Sequence, residues 1–156
     1  MNYQDRLNTC KKEGLKAEDV FAKLMKQKGY TWRKANRQED IFHHIDCYVN
    51  NKSVDVKGNR HEDCIWLELT NVNGELGWLK GKAMFIAFDI QELGGFSIYK
   101  RSDLLNYCSK FSERTTNKHD FYKIYTRAKF GRKDEIIKVK YKDIKDLELN
   151  LFKYEI

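Results

Sequence analysis

The chain has 156 residues and a mass of 18.7 kDa, enough for one globular core and short for two. Hydrophobic residues make up 41% and charged residues 34%, which excludes a disordered chain. The longest apolar run, residues 83–88, is far below the roughly 18 residues of a membrane span, so no membrane partner is expected. Thirty Lys and Arg against 23 Asp and Glu leave a net charge of +7, a balance that favours polyanionic partners, nucleic acid first. The polar start lacks the apolar stretch of a secretory signal, and Cys10, Cys47, Cys64 and Cys108 form no C-x-x-C pair. Free thiols and a cytoplasmic location are therefore expected.

In chain order, Leu15, Val20, Phe21, Leu24 and Met25 recur at helical spacing and predict a helix over 11–28, stopped by Gly29. Residues 40–49 read as a strand, 52–57 as a second and 64–70 as a third. Asn50-Asn51 supplies a hairpin turn, because Asn tolerates positive φ. Residues 74–82 form either a short helix or a loop, and the apolar run over 84–89 predicts a buried strand. A strand is expected over 96–99, a helix over 102–110 opened by a Ser/Asp cap, an exposed loop over 112–120 and a late strand over 136–139. No proline, linker or repeat marks a boundary, so 1–156 reads as one domain. Its predicted class is α/β, a mixed sheet flanked by helices. The core covers about 11–90, and a basic, aromatic extension about 91–156.

The informative constellation is Asp46-x8-Asp55-Val56-Lys57. A two-residue turn at Asn50-Asn51 pairs Val49 with Lys52, and counting back sets Asp46 opposite Asp55. Lys57 points to the same face as Asp55. Two carboxylates opposed across a hairpin repel. A divalent cation, Mg²⁺ or Mn²⁺, held by Asp46, Asp55 and the Val56 carbonyl would relieve that repulsion. A lysine beside it can assist an attacking water or stabilise charge on a phosphate. The competing expectation is an ordinary hairpin with Asp55 and Lys57 in solvent. Ile41, Ile45, Val49, Val54 and Val56 argue against it, because they make both strands read as buried on one side. A three-residue turn would move Asp46 to the other face.

The helix "GLKAEDVFAKLMKQKGY" with Glu18, "IFHHIDCYV" with Asp46 and "SVDVKG" with Asp55 and Lys57 together resemble the PD-(D/E)XK nuclease superfamily, over residues 11–90. Holliday-junction resolvases and small phage nucleases are the most similar members. The resemblance implies a restriction-endonuclease-like fold of order αβββαβ with C-terminal additions, and a site of Glu18, Asp46, Asp55 and Lys57. It implies that Glu18 is an outer metal ligand or holds a metal-bound water. On the residues alone, Glu18 borders the apolar stripe and could equally be solvated. The chain departs from the pattern in having Ile45 where the family name has Pro, and in the short Asp46–Asp55 interval.

Other candidates carry two readings each. Glu68 shares a strand face with Trp66 and Thr70, and either adds a carboxylate or faces solvent. His44 shares parity with Asp46 and is either a phosphate or water contact or a structural histidine. His43, Cys47, His61 and Cys64 have loose zinc-like spacing, but their alternating strand faces argue against zinc. In "NVNGELGWLKGKA", Lys80 and Lys82 could touch phosphates, or Trp78 could simply fill the core of a turn. This segment is similar to one that follows the third strand in some phage members. The C-terminal third interleaves Arg114, Lys118, Lys123, Arg127, Lys129, Arg132 and Lys133 with Phe121, Tyr122, Tyr125 and Phe130. Such a pattern suits a nucleic-acid groove contacted by Arg127, Lys129, Arg132 and Lys133, or equally an aromatic core beneath a solvated basic face.

The expected function is a Mg²⁺- or Mn²⁺-dependent DNA endonuclease. The alternative is an inactive nucleic-acid-binding or inhibitor protein that keeps the fold. A homodimer is expected, because one site per chain cannot cut two strands symmetrically. Phe111, Phe121, Tyr122, Leu149, Leu151 and Phe152 are the candidate interface residues.

Overall fold

The computed structural model describes residues 16–127 and 131–154. The start of the predicted first helix, Cys10 and Lys129 lie outside them. Helix α1, Ala17–Gln27, buries Val20, Phe21, Leu24 and Met25 on one stripe and ends at Gly29, whose φ of 85° is left-handed. After the short strand β1 (Trp32–Lys34) comes α2, Arg37–His43, then the hairpin β2 (Cys47–Val49) and β3 (Lys52–Asn59). β4 is Ile65–Thr70, and a single 3₁₀ turn covers Trp78–Lys80. β5 (Phe85–Ile90), β6 (Gly95–Lys100) and helix α3 (Arg101–Cys108) follow. The chain closes with β7 (Arg114–Thr115), β8 (Ile124–Tyr125), β9 (Glu135–Val139), the one-turn α4 (Tyr141–Ile144) and β10 (Glu148–Lys153).

The protein is mixed α/β. A six-stranded sheet runs β1-β2-β3-β5-β6-β10, antiparallel except at the central β3–β5 pair. A four-stranded sheet runs β4-β9-β8-β7, parallel only at β7–β8. Strand alternation gives the large sheet two apolar faces. Val54, Val56, Ala87, Phe96 and Ile98 pack against α1. Ile86, Phe88 and Ile90 pack against Ile65, Leu67, Ile137 and Val139 of the small sheet. Each fully buried side chain of this size contributes roughly 1.5–3 kcal/mol by leaving water. The C-terminal third is woven into both sheets, since β9 pairs with β4 and β10 with β6.

Four expectations need correction. Residues 40–49 are not one strand, because Asn36 and Glu39 form a reciprocal capping box that starts α2, and His44 ends it with a φ of 54°. Ile41 is consequently 52% exposed on that helix and not part of a buried strand. There are two sheets where one was expected: Ile65 and Leu67 are fully buried face-on against β5, so β4 stacks on the large sheet. Finally, α3 begins at Arg101 with no side-chain cap, and Ser102 and Asp103 lie inside it.

Candidate active site

The Asn50-Asn51 turn has φ values of 49° and 64°, the two positive values a type I′ hairpin requires. It pairs Val49 with Lys52 and Cys47 with Val54. Asn50 Oδ1 also accepts from the Thr31 amide and hydroxyl at 3.0 and 3.1 Å, which ties the turn to β1. The regular ladder stops at Cys47. The Asp46 N–H bonds to the Val54 carbonyl at 2.9 Å, and the Asp46 carboxylate bends across the hairpin. Its Oδ2 accepts the Val56 N–H at 2.7 Å. The two aspartates are thus brought together by a bend and not by a regular cross-strand pair.

Asp55 is 1% exposed. Its Oδ1 meets the Lys57 ammonium at 3.2 Å, while its Oδ2 is sealed from solvent and accepts no hydrogen bond among the described residues. Burial pushes the Asp55 carboxyl well above the usual carboxylate range; Lys57 pulls it back and the neighbouring Asp46 pushes it further up. Val56 turns its side chain into the α1 core.

Glu18, in the first turn of α1, joins this group: its proton affinity is raised by burial, then by Asp46 and Asp40. Asp40 was not legible as a site residue. Its carboxyl is raised by burial, by the charge of Asp46 and by a hydrogen bond with it. Only the capping box at Asn36 and Glu39, which makes 37–43 a helix, could have pointed to Asp40. Lys34 lowers both Glu18 and Asp40, so two lysines and four carboxyls share one region.

The Gly-Trp segment forms the wall beside Lys57. The Lys57 ammonium lies 5.2 Å from the Trp78 ring centroid, and Trp78 packs edge-on against Phe88. Arg101 fixes the segment through the carbonyls of Ala83 and Leu79 at 2.7 and 3.0 Å. Gly81 lets the segment pack closely, since a Cβ there would sit 3.0 Å from the His43 carbonyl and the His44 Cβ. A cleft of about 420 Å³ opens from Lys57 between Trp78 and Trp66.

The remaining candidates fall elsewhere. His44 does not continue a strand parity with Asp46, because it ends α2; its Nε2 lies 3.3 Å from the Leu76 carbonyl. Glu68 lies on the small sheet, packed over Gly77, and is not among the charges that most perturb Glu18, Asp40 or Asp55. Cys47 is buried in the α1 core. Among the described residues, the one group of three ligand atoms within 4.8 Å is the exposed His61, Asp63 and Glu92. Lys80, Lys82, Arg132 and Lys133 are exposed. Arg127 pairs with the buried Asp134 at 3.1 Å and Arg114 with Glu135 at 2.6 Å, so part of the basic surface is neutralised internally.

No protein-family model matches the chain, and no curated protein or solved structure is similar to it. Among the described residues, no helix is long and apolar enough to cross a membrane.

Proposed function

We propose that the chain is a divalent-metal-dependent DNA endonuclease with a restriction-endonuclease-like fold of the PD-(D/E)XK kind, working as a homodimer in the cytoplasm. The observation that carries the reading is the buried Asp55 carboxylate, whose Oδ2 accepts no donor N–H or O–H among the described residues, next to a second carboxylate and a lysine. An unsatisfied buried carboxylate is costly, and a Mg²⁺ or Mn²⁺ ion takes one or two carboxylates plus carbonyl and water. Asp46 and Asp55 would hold it, with the Val56 carbonyl, and Glu18 would hold water at its rim. When bound, the ion supplies positive charge to phosphate oxygens and makes water more acidic.

The chain's own residues divide the remaining work. The Val56 amide fixes the orientation of Asp46 through Oδ2. Lys57, held between Asp55 and the Trp78 ring, orients the attacking water or neutralises charge growing on the phosphate. Lys80 and Lys82, both exposed, would contact the DNA backbone.

The second reading, an inactive DNA-binding or inhibitor protein, draws on the near-complete burial of Asp55. Incubation with supercoiled, branched and linear DNA in Mg²⁺, Mn²⁺ or EDTA separates the two.

A further inference from the structure

The cleft that begins at Lys57 runs across the gap between the two sheets to Trp66. Trp78 and Phe88 line it, with Arg60 and His61 beyond, and no carboxylate contributes to its lining. Trp66 is 41% exposed while its strand neighbours Ile65 and Leu67 are fully buried. Alternation along β4 forces this outward position. Cations flank the ring. Lys138, its register partner on β9, holds its ammonium 5.9 Å from the indole, and the Arg127 guanidinium lies 5.9 Å away. Lys138 is itself only 5% exposed, caged further by Phe121 at 5.4 Å and Tyr125 at 5.7 Å.

An indole left in water, beside the Lys138 ammonium and the Asp134-paired Arg127 guanidinium, at the mouth of a cleft lined by Lys57, Arg60 and the Glu92-paired His61, has the chemistry of a base-stacking platform. We propose that Trp66 stacks an unpaired base of a DNA strand seated in this cleft. Resting on the nuclease reading for where the cut falls, the protein therefore acts on DNA with unpaired nucleotides beside the scissile phosphate, in preference to continuous duplex. Lysine and arginine contacts to phosphates alone do not discriminate in this way, whereas stacking favours a base already out of its duplex, because no unstacking cost is then incurred.

The test is equilibrium binding of a short labelled oligothymidylate and of a blunt duplex of equal length, in EDTA so that no strand is cut. Trp66→Ala is expected to weaken single-strand binding by roughly 5- to 150-fold and leave duplex binding within about twofold. Trp66→Phe restores most of the loss, and the single strand, not the duplex, quenches wild-type tryptophan emission. Unchanged single-strand affinity in Trp66→Ala, or an equal loss on both DNAs, would overturn the proposal. Should Trp66→Ala lose its thermal transition, Trp66→Leu is read instead, and unchanged single-strand affinity in that folded variant counts against stacking. Because the readout is binding without metal, a protein that shows this split yet never cuts DNA would remove the nuclease reading and leave the stacking site in place.

Discussion

Asp46 reaches across the β2–β3 hairpin to accept the N–H of Val56, and this bond holds its carboxyl beside that of Asp55. One of these two groups is anchored by a backbone amide, and the other keeps a buried oxygen that accepts no donor N–H or O–H among the described residues. The pair is thereby asymmetric. Asp46 is oriented before any ligand arrives, while Asp55 carries the electrostatic penalty that a cation would relieve.

That penalty fixes a pH dependence. Asp55, Glu18 and Asp40 all bind protons more tightly in the folded chain than as free carboxyls. Groups raised in this way stabilise the fold fully below their unfolded values near 4 and lose that contribution as pH rises through the higher folded values. The metal-free melting temperature should therefore fall as pH rises above the carboxylate range, by about 2–4 °C per kcal/mol lost. Mg²⁺ should restore it at the alkaline end, and Asp55→Asn should flatten the curve. Thermal melts across pH with and without Mg²⁺ check this. Curves that respond to neither proton nor cation would contradict it.

The hairpin turn gives a stability prediction independent of chemistry. Asn51 sits at φ 64°, which glycine adopts freely and β-branched residues do not. Asn51→Gly should stabilise by about 0.5 kcal/mol and Asn51→Val should destabilise by about 1–2 kcal/mol, read from denaturant unfolding. Equal stability in the two variants would mean that the turn does not set the register.

The hairpin, its Asn50-Asn51 turn, the buried β5 run and the shared face of Asp55 and Lys57 were legible because each follows from strand alternation and a turn with residues suited to positive φ. Asp46 instead reaches Asp55 through a bend beyond the end of the ladder, which counting along the strands does not give. The α2 helix was hidden because 40–49 reads as one apolar stretch leading into the hairpin, although Ile41 and Ile45 are a helical interval apart and Asn36 and Glu39 form the capping box that starts a helix. Asp40 was lost with it. The stacking of β4 on the large sheet depends on which apolar face meets which, and Ile65 and Leu67 alone do not specify a partner. β10 escaped because its edge position leaves Leu149 57% exposed and weakens the apolar alternation.

The same edge strand offers the interface for the proposed dimer. Phe111, Phe121 and Tyr122 are occupied with each other, with ring centroids 5.9 and 6.0 Å apart, whereas Leu149 faces solvent. Light scattering should give about twice the 18.7 kDa chain mass, and Leu149→Glu should give the single-chain mass. One chain's mass for the unsubstituted protein, with and without DNA, would exclude the dimer.

The most direct measurement is cleavage of supercoiled DNA by the unsubstituted protein, Asp55→Asn and Lys57→Met, each with a matched melting curve. The unsubstituted chain is expected to cut in Mg²⁺ or Mn²⁺ and to stop in excess EDTA. Both variants should stay folded and lose at least about a hundredfold in rate, the scale of removing a charge-stabilising catalytic group. Cleavage that survives EDTA, or that persists at full rate in folded Asp55→Asn, would contradict the account.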